Sequence, residues 1–221
     1  MAITMRHSPF HNQRPTDCVI DLIILHAISL PAGDFNTTHV EALFSGHLEP
    51  TAHPSFAELA GVTVSAHFVV DRQGNIDQYV ACEARAWHAG ASIWQGRENC
   101  NDYSIGIEMI GDEQHPFSRA QYRETARLCR CLMHHYPRIT SQRIVGHQDV
   151  APGRKWDPGV QWSWAHFHRS LAHIRHANLP IAITASDAVS ASDDSTPPCA
   201  HRSSASPDCS SASPAATDRR S

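Results

Sequence analysis

Long apolar runs are missing from this sequence. The most apolar stretch, Cys18 to Leu30, is interrupted by Asp21 and His26 and falls well short of the roughly 20 residues that cross a bilayer. No apolar segment follows Met1 either, so neither a membrane partner nor an export signal is expected, and the expected compartment is the cytoplasm. Excess charge is missing too: 18 Lys and Arg stand against 22 Asp and Glu, a formal net charge of -4. That balance gives no bulk electrostatic case for nucleic acid or an anionic membrane, so an anionic ligand has to be met by local arginines. Paired cysteine spacing is the third absence. Seven cysteines without a CxxC pair argue against a disulfide scaffold or a cysteine-held zinc, and fit reduced thiols. No Pro-Cys-x-x-Cys segment follows a His-x-Glu, which excludes a zinc nucleoside deaminase.

What is present suffices for one catalytic-sized core: 221 residues, 41% of them hydrophobic. Residues 1–17 are polar and read as an arm. Val19 to His26 is short, branched and nearly continuous in apolar residues, so it reads as a buried central strand with His26 at its C-terminal end, where open α/β sheets place their sites. Thr38 to Phe44 reads as a helix with Thr38 and Glu41 as a capping box and Gly46 as its stop. Val62 to Val70 and Ile76 to Val80 read as a hairpin around Asp71–Asn75. Residues 81–103 form a long loop whose Trp, His and Arg content points to binding.

Ser104 to Ile110 alternates as a strand with Ile105, Ile107 and Met109 on one face and Glu108 on the other. A carboxylate there needs a cation, water or a proton, which makes Glu108 a candidate general base or a salt-bridge partner. Ser118 and Gln121 form a capping box that opens an amphipathic helix to about Tyr136. Arg143 to Val145 reads as a short strand delivering His147, and Trp162 to about Arg175 as a last helix. From Ala177 the composition shifts to Ala, Ser, Pro and Asp and predicts a disordered tail, so the expected organisation is a catalytic domain over residues 1–176 and a tail over 177–221.

The stretch from Gly146 to Gly159 concentrates the chemistry. Braced by Gly146, Pro152, Gly153, Pro158 and Gly159, it sets an imidazole (His147), an ammonium (Lys155) and a carboxylate (Asp157) into one ordered curl. With His26 at another strand end, these residues offer a His/His/carboxylate shell. Zinc accepts such donors and keeps one position open for water, polarises a carbonyl and lowers the pKa of water toward about 7. Glu108 would take the water's proton, and Lys155 would face an oxyanion, a contribution of about 3 kcal/mol for one well-placed donor. The residues point to metal-assisted hydrolysis of an amide without naming the amide; a solvated surface loop is the plainer alternative.

Leu25-His26-Ala27-Ile28-Ser29-Leu30-Pro31, Ser65-Ala66-His67, Arg85-Ala86-Trp87-His88-Ala89-Gly90, Gly96 to Glu108 and the Gly146–Gly159 loop together resemble the zinc-dependent N-acetylmuramoyl-L-alanine amidases, in particular the cytosolic 1,6-anhydro type of cell-wall recycling. The resemblance runs from about residue 6 to about residue 172. It implies an α/β fold with a central mixed β-sheet flanked by helices, shared with peptidoglycan-recognition proteins. It also implies one Zn2+ on His26, His147 and Asp157, with Glu108 and Lys155 as the catalytic pair. The implied substrate is an anhydromuropeptide, cleaved between anhydro-N-acetylmuramic acid and L-alanine, and the expected unit is a monomer. Trp87 and Arg97 fall on positions associated with sugar and peptide binding, where an arginine fork suits peptide carboxylates. Two positions depart from the family: Ala27 stands where Asn is frequent, and Trp156 where a smaller residue is usual. A same-fold module that binds muropeptide without cleaving it, and an amidase acting on intact peptidoglycan, are the alternatives.

Overall fold

The computed structural model of the chain describes residues 3–175 and 180–184. The elements follow one another as β1 (Ile3–Met5), β2 (His11–Gln13), β3 (Leu22–Ile28), α1 (Thr38–Ser45), β4 (Phe68–Val70), β5 (Ile76–Gln78), β6 (Ala84–Ala86), β7 (Ile93–Trp94), β8 (Arg97–Glu98), β9 (Ser104–Ile110), α2 (Arg119–His135), β10 (Ile144–Gly146), α3 (His147–Val150) and α4 (Trp164–His173).

Six strands make one sheet in the order β1-β5-β4-β9-β3-β10. The β4–β5 hairpin is antiparallel and every other neighbouring pair is parallel, so the sheet is mixed, as expected. Its central strands are buried on both faces, which explains their near-continuous apolar sequences. On one face Ile23, Leu25, Ile105, Ile107 and Met109 pack with Ala126, Cys129 and Leu132 of α2 and with Phe167 and Leu171 of α4. On the other, Val40 and Phe44 of α1 meet Val69 and Ile110, while Ala89 and Cys100 from the segment before β9 cover Leu22 and Ile24. The side chains of His26 and Glu108 belong to this second face, the alternate set to Leu25 and Ile107.

Capping sets the helix boundaries. Ser118 Oγ accepts from the Gln121 amide and Gln121 Oε1 accepts from the Ser118 amide, the expected reciprocal box at the start of α2. The box expected at Thr38 and Glu41 does not form: Asn36 Oδ1 accepts from both the amide and the hydroxyl of Thr38. Gly46 ends α1 as expected, in the left-handed conformation at φ 79° that favours glycine.

Four expectations are corrected by long-range pairing. The first central strand spans Leu22–Ile28 rather than Val19–His26, because β9 pairs with it residue for residue as far as Ile110 opposite Ile28; His26 therefore sits two residues inside the strand. The segment 81–103 is not one loop, since β6 pairs with β2 and β7 with β8, which satisfies backbone groups an irregular loop would leave open. Residues 3–17 are more than an arm leading into the fold, because β1 adds a parallel strand beside β5 and β2 pairs with β6. Residues 180–184 lie past the expected boundary at 176 yet pack against the domain: the Gln78 side chain donates to the Ala182 carbonyl and accepts from its amide, both at 2.8 Å. Residues 185–221, where the rest of the expected tail falls, lie outside the described residues.

Candidate metal centre

Strand register assembles the site. His26 on β3 lies directly opposite Glu108 on β9, and Gly146, the last residue of β10, lies opposite Leu25, so that His147 emerges beside His26. The chain then turns through α3, where Asp149 accepts from the Gly146 amide, and the Gln148 amide donates to the Asp157 carbonyl, bringing Asp157 back over the strand ends. Arg154 fastens this return by donating to the carbonyls of Ala89 and Ala91, both at 2.6 Å. Nothing in the sequence distinguishes Arg154 from a surface arginine, and it was not among the expected site residues.

Three donor atoms face one point. His26 Nδ1 and His147 Nδ1 are 3.0 Å apart, His147 Nδ1 and Asp157 Oδ2 3.1 Å, and His26 Nδ1 and Asp157 Oδ2 3.3 Å. Two nitrogens and a carboxylate oxygen held 3.0 to 3.3 Å apart are close to the spacing, about 3.3 Å, that three bonds of about 2.0 Å to one tetrahedral zinc would set. All three residues are buried, and they form a group able to hold a metal ion. The outer ring nitrogens are engaged as well: His147 Nε2 lies 3.2 Å from the Ala89 carbonyl and His26 Nε2 lies 3.0 Å from His88 Nδ1.

Electrostatics separates the two carboxylates. Burial alone would raise the Asp157 carboxyl, but the facing imidazoles of His147 and His26 outweigh it and hold the group well below the usual carboxylate range. Glu108 moves the other way, pushed well up by burial and by the Asp157 charge, with only a partial offset from Lys155. Glu108 Oε1 stands 4.0 Å from His26 Nδ1, and its Oε2 is buried without a hydrogen-bond partner in the protein. Burial lowers His26 to about 4, so its ring is neutral and able to coordinate at neutral pH.

A cavity of about 200 Å³ opens over the group, lined by Trp87, Glu108, Lys155, Trp156, Phe44 and Val64 among others. A second of about 410 Å³ shares Ala27, Ile28 and Trp156 with it and carries Ser29, Asp112, Glu113 and His115. Trp156 is therefore a wall common to both, and Ala27 lines both as well.

Of the sequence-predicted residues, His26, Glu108, His147, Lys155, Asp157 and Trp87 come together. Arg97 does not. Its guanidinium pairs with Asp21 at 2.7 Å, lies 3.7 Å over the Tyr103 ring and shares Asp21 with Arg143, five residues before His26 and at the opposite end of β3. Arg97→Ala is expected to cost less than about 1 kcal/mol of stability, since its side chain is 44% exposed, and to leave any activity of the site unchanged. Thermal unfolding and initial rates check the two halves separately.

Comparison with known proteins places the chain in a family. The family profile described as N-acetylmuramoyl-L-alanine amidase matches residues 14–160. The chain is 48% identical over 160 residues to the 1,6-anhydro-N-acetylmuramyl-L-alanine amidase AmpD of Escherichia coli, covering 72% of this chain and 87% of that protein. It is 46% identical over 171 residues to the AmpD of Enterobacter cloacae, covering 76% and 91%. Among solved structures, a selenomethionine AmpD derivative superposes with a TM-score of 0.74 at 44% identity, covering 76% of this chain and 94% of that one. The E. coli amidase AmiD, solved in complex with the substrate anhydro-N-acetylmuramic acid-L-Ala-D-gamma-Glu-L-Lys, superposes with a TM-score of 0.52 at 26% identity, covering 72% and 60%. With a family match over residues 14–160 and these likenesses over most of its length, the chain belongs to the N-acetylmuramoyl-L-alanine amidase family.

Proposed function

We propose that this amidase hydrolyses the amide between 1,6-anhydro-N-acetylmuramic acid and L-alanine in muropeptides, with one zinc ion held by His26, His147 and Asp157. The observation that carries the reading is the triangle of three donor atoms with Glu108 in register beside it, in a chain 46 to 48% identical, over 72 to 76% of its length, to proteins named for that reaction. When bound, zinc supplies Lewis-acid polarisation of the amide carbonyl and makes water acidic enough to attack at neutral pH.

The remaining work falls to side chains. Glu108, its carboxyl raised by burial, accepts a proton from the attacking water as oxygen adds to the lactyl carbonyl carbon. Lys155 lines the same cavity and faces the negative oxygen that develops. As the carbon–nitrogen bond breaks, Glu108 returns the proton to the leaving amine, giving a muramyl carboxylate and a free peptide N-terminus. Trp87, its indole nitrogen donating to Asn12 Oδ1 and its ring stacked with Phe10, presents a fixed apolar platform for the sugar. We assign the enzyme to the cytoplasm as a monomer. Cys18, Cys82, Cys100 and Cys129 are free thiols, which suits a reducing compartment.

The test is competition between anhydro-N-acetylmuramoyl-tripeptide, its non-anhydro counterpart and intact peptidoglycan. Preference of at least tenfold for the first is expected; release of peptide chiefly from intact wall would transfer the activity to the autolytic class. Trp156, 40% exposed between the two cavities, is expected to contribute binding more than chemistry. Trp156→Ala should raise KM about three- to tenfold, the loss of one aromatic contact, with kcat and zinc content unchanged.

A further inference from the structure

Beyond the donor triangle, both histidines of the metal centre lean on one two-residue segment. His147 Nε2 meets the Ala89 carbonyl directly at 3.2 Å. A carbonyl oxygen only accepts, so Nε2 carries the hydrogen and Nδ1 presents its lone pair to the donor triangle. His26 reaches a carbonyl by a longer route. Its Nε2 lies 3.0 Å from His88 Nδ1, His88 Nε2 lies 3.5 Å from Ser104 Oγ, and Ser104 Oγ donates to the Cys100 carbonyl at 2.6 Å.

The end of that chain orients everything before it. Because the Ser104 hydrogen is committed to a carbonyl, its oxygen can only accept from His88. His88 then carries its hydrogen on Nε2, leaves Nδ1 bare as an acceptor for His26 Nε2–H, and thereby leaves His26 Nδ1 bare toward Asp157 and His147.

The surroundings are shaped for this ring. A Cβ at Gly106 would lie 2.5 to 2.7 Å from the His88 imidazole, so only glycine on β9 lets the ring occupy that space. The buried Asn101 side chain accepts from the His88 amide at 3.2 Å and the Ala89 amide at 2.8 Å, clamping both residues at once.

We propose that His88, fixed by Ser104 and clamped with Ala89 by Asn101, is a positioning residue that sets the tautomer of His26 for metal binding, while Ala89 sets that of His147. His88 touches no donor atom of the triangle other than through His26. The inference rests on the zinc reading of the site, and its distinguishing property is an acceptor atom at one place rather than bulk. Partners of this kind change metal affinity by about 10- to 100-fold when removed.

The experiment compares zinc affinity, by chelator competition, in the full chain and in His88→Leu, His88→Asn and Ser104→Ala. Leucine fills the space without an acceptor, and asparagine places its Oδ1 where Nδ1 stands. The expected result is at least tenfold weaker zinc binding for His88→Leu, within about threefold of the parent for His88→Asn, and an intermediate loss for Ser104→Ala. Equal losses for leucine and asparagine, or none for leucine, would overturn the proposal. Nitrogen-15 chemical shifts of the imidazoles supply a readout that needs no variant. They should place the His88 hydrogen on Nε2 in both metal-free and zinc-loaded protein, and a hydrogen on Nδ1 refutes the relay even if every variant is unstable. Failure of the parent to bind zinc would instead count against the proposed function, with the His88 tautomer still testing the relay.

Discussion

Glu108→Gln is expected to lower kcat on an anhydromuropeptide by about 10²–10⁴-fold, the usual contribution of a positioned general base, while zinc content stays at one ion per chain. The amide is nearly isosteric and cannot take a proton from water. Stability should move in the opposite direction. The folded-state pKa of Glu108 is raised, so between its unfolded value of about 4.3 and the folded value the native state binds more protons than the unfolded state, and stability falls as pH rises through that window. At neutral pH the metal-free variant, which no longer holds a desolvated carboxylate beside Asp157, should melt at or above the parent temperature. Calorimetry of both proteins at pH 5 and pH 8 checks the sign: the parent should lose ground to the variant at the higher pH.

Asp157→Ala is expected to abolish both stoichiometric zinc binding and turnover, a larger loss than any other single substitution at the site. Asp157 supplies the carboxylate oxygen of the triangle, 3.3 Å from His26 Nδ1 and 3.1 Å from His147 Nδ1, and without it two imidazoles remain. The metal-free parent should resemble this variant in activity. In the parent, zinc at a thousandfold excess over its dissociation constant adds about 4 kcal/mol of stability by mass action, and in Asp157→Ala that increment should disappear. Melting curves with and without chelator measure it. A parent whose melting temperature ignores the chelator would mean the triangle is a hydrogen-bonded cluster and not a metal site.

Local signals carried much of the fold. The Ser118–Gln121 box, the apolar alternation of Ser104–Ile110 and the glycine after α1 are each written within a few residues, and each element formed close to its expected bounds. The grouping of His26, His147 and Asp157 is legible because His26 closes an apolar run, His147 follows a short apolar strand and Asp157 sits in a loop braced by proline and glycine. What was not legible depends on partners far along the chain. Arg97 finds Asp21 at a separation of 76 residues, and nothing near Arg97 says that its fork is already occupied. β2 pairs with β6 across some 70 residues, so a polar arm and a presumed loop complete each other. His88 lies within Arg85–Gly90 with nothing nearby to mark it, since its importance comes from a ring nitrogen 3.0 Å from His26 rather than from residue type.

Under the proposed function, zinc on His26, His147 and Asp157 serves the opening of one particular amide with water. The most direct measurement is mass spectrometry of a single turnover of anhydro-N-acetylmuramoyl-tripeptide in oxygen-18 water, with zinc-loaded and chelated protein. Two products are expected from the zinc-loaded enzyme only: unlabelled free tripeptide, and anhydro-N-acetylmuramic acid heavier by one oxygen-18 in its lactyl carboxylate. Cleavage at another bond, label in the peptide, or equal turnover after chelation would contradict the proposed function.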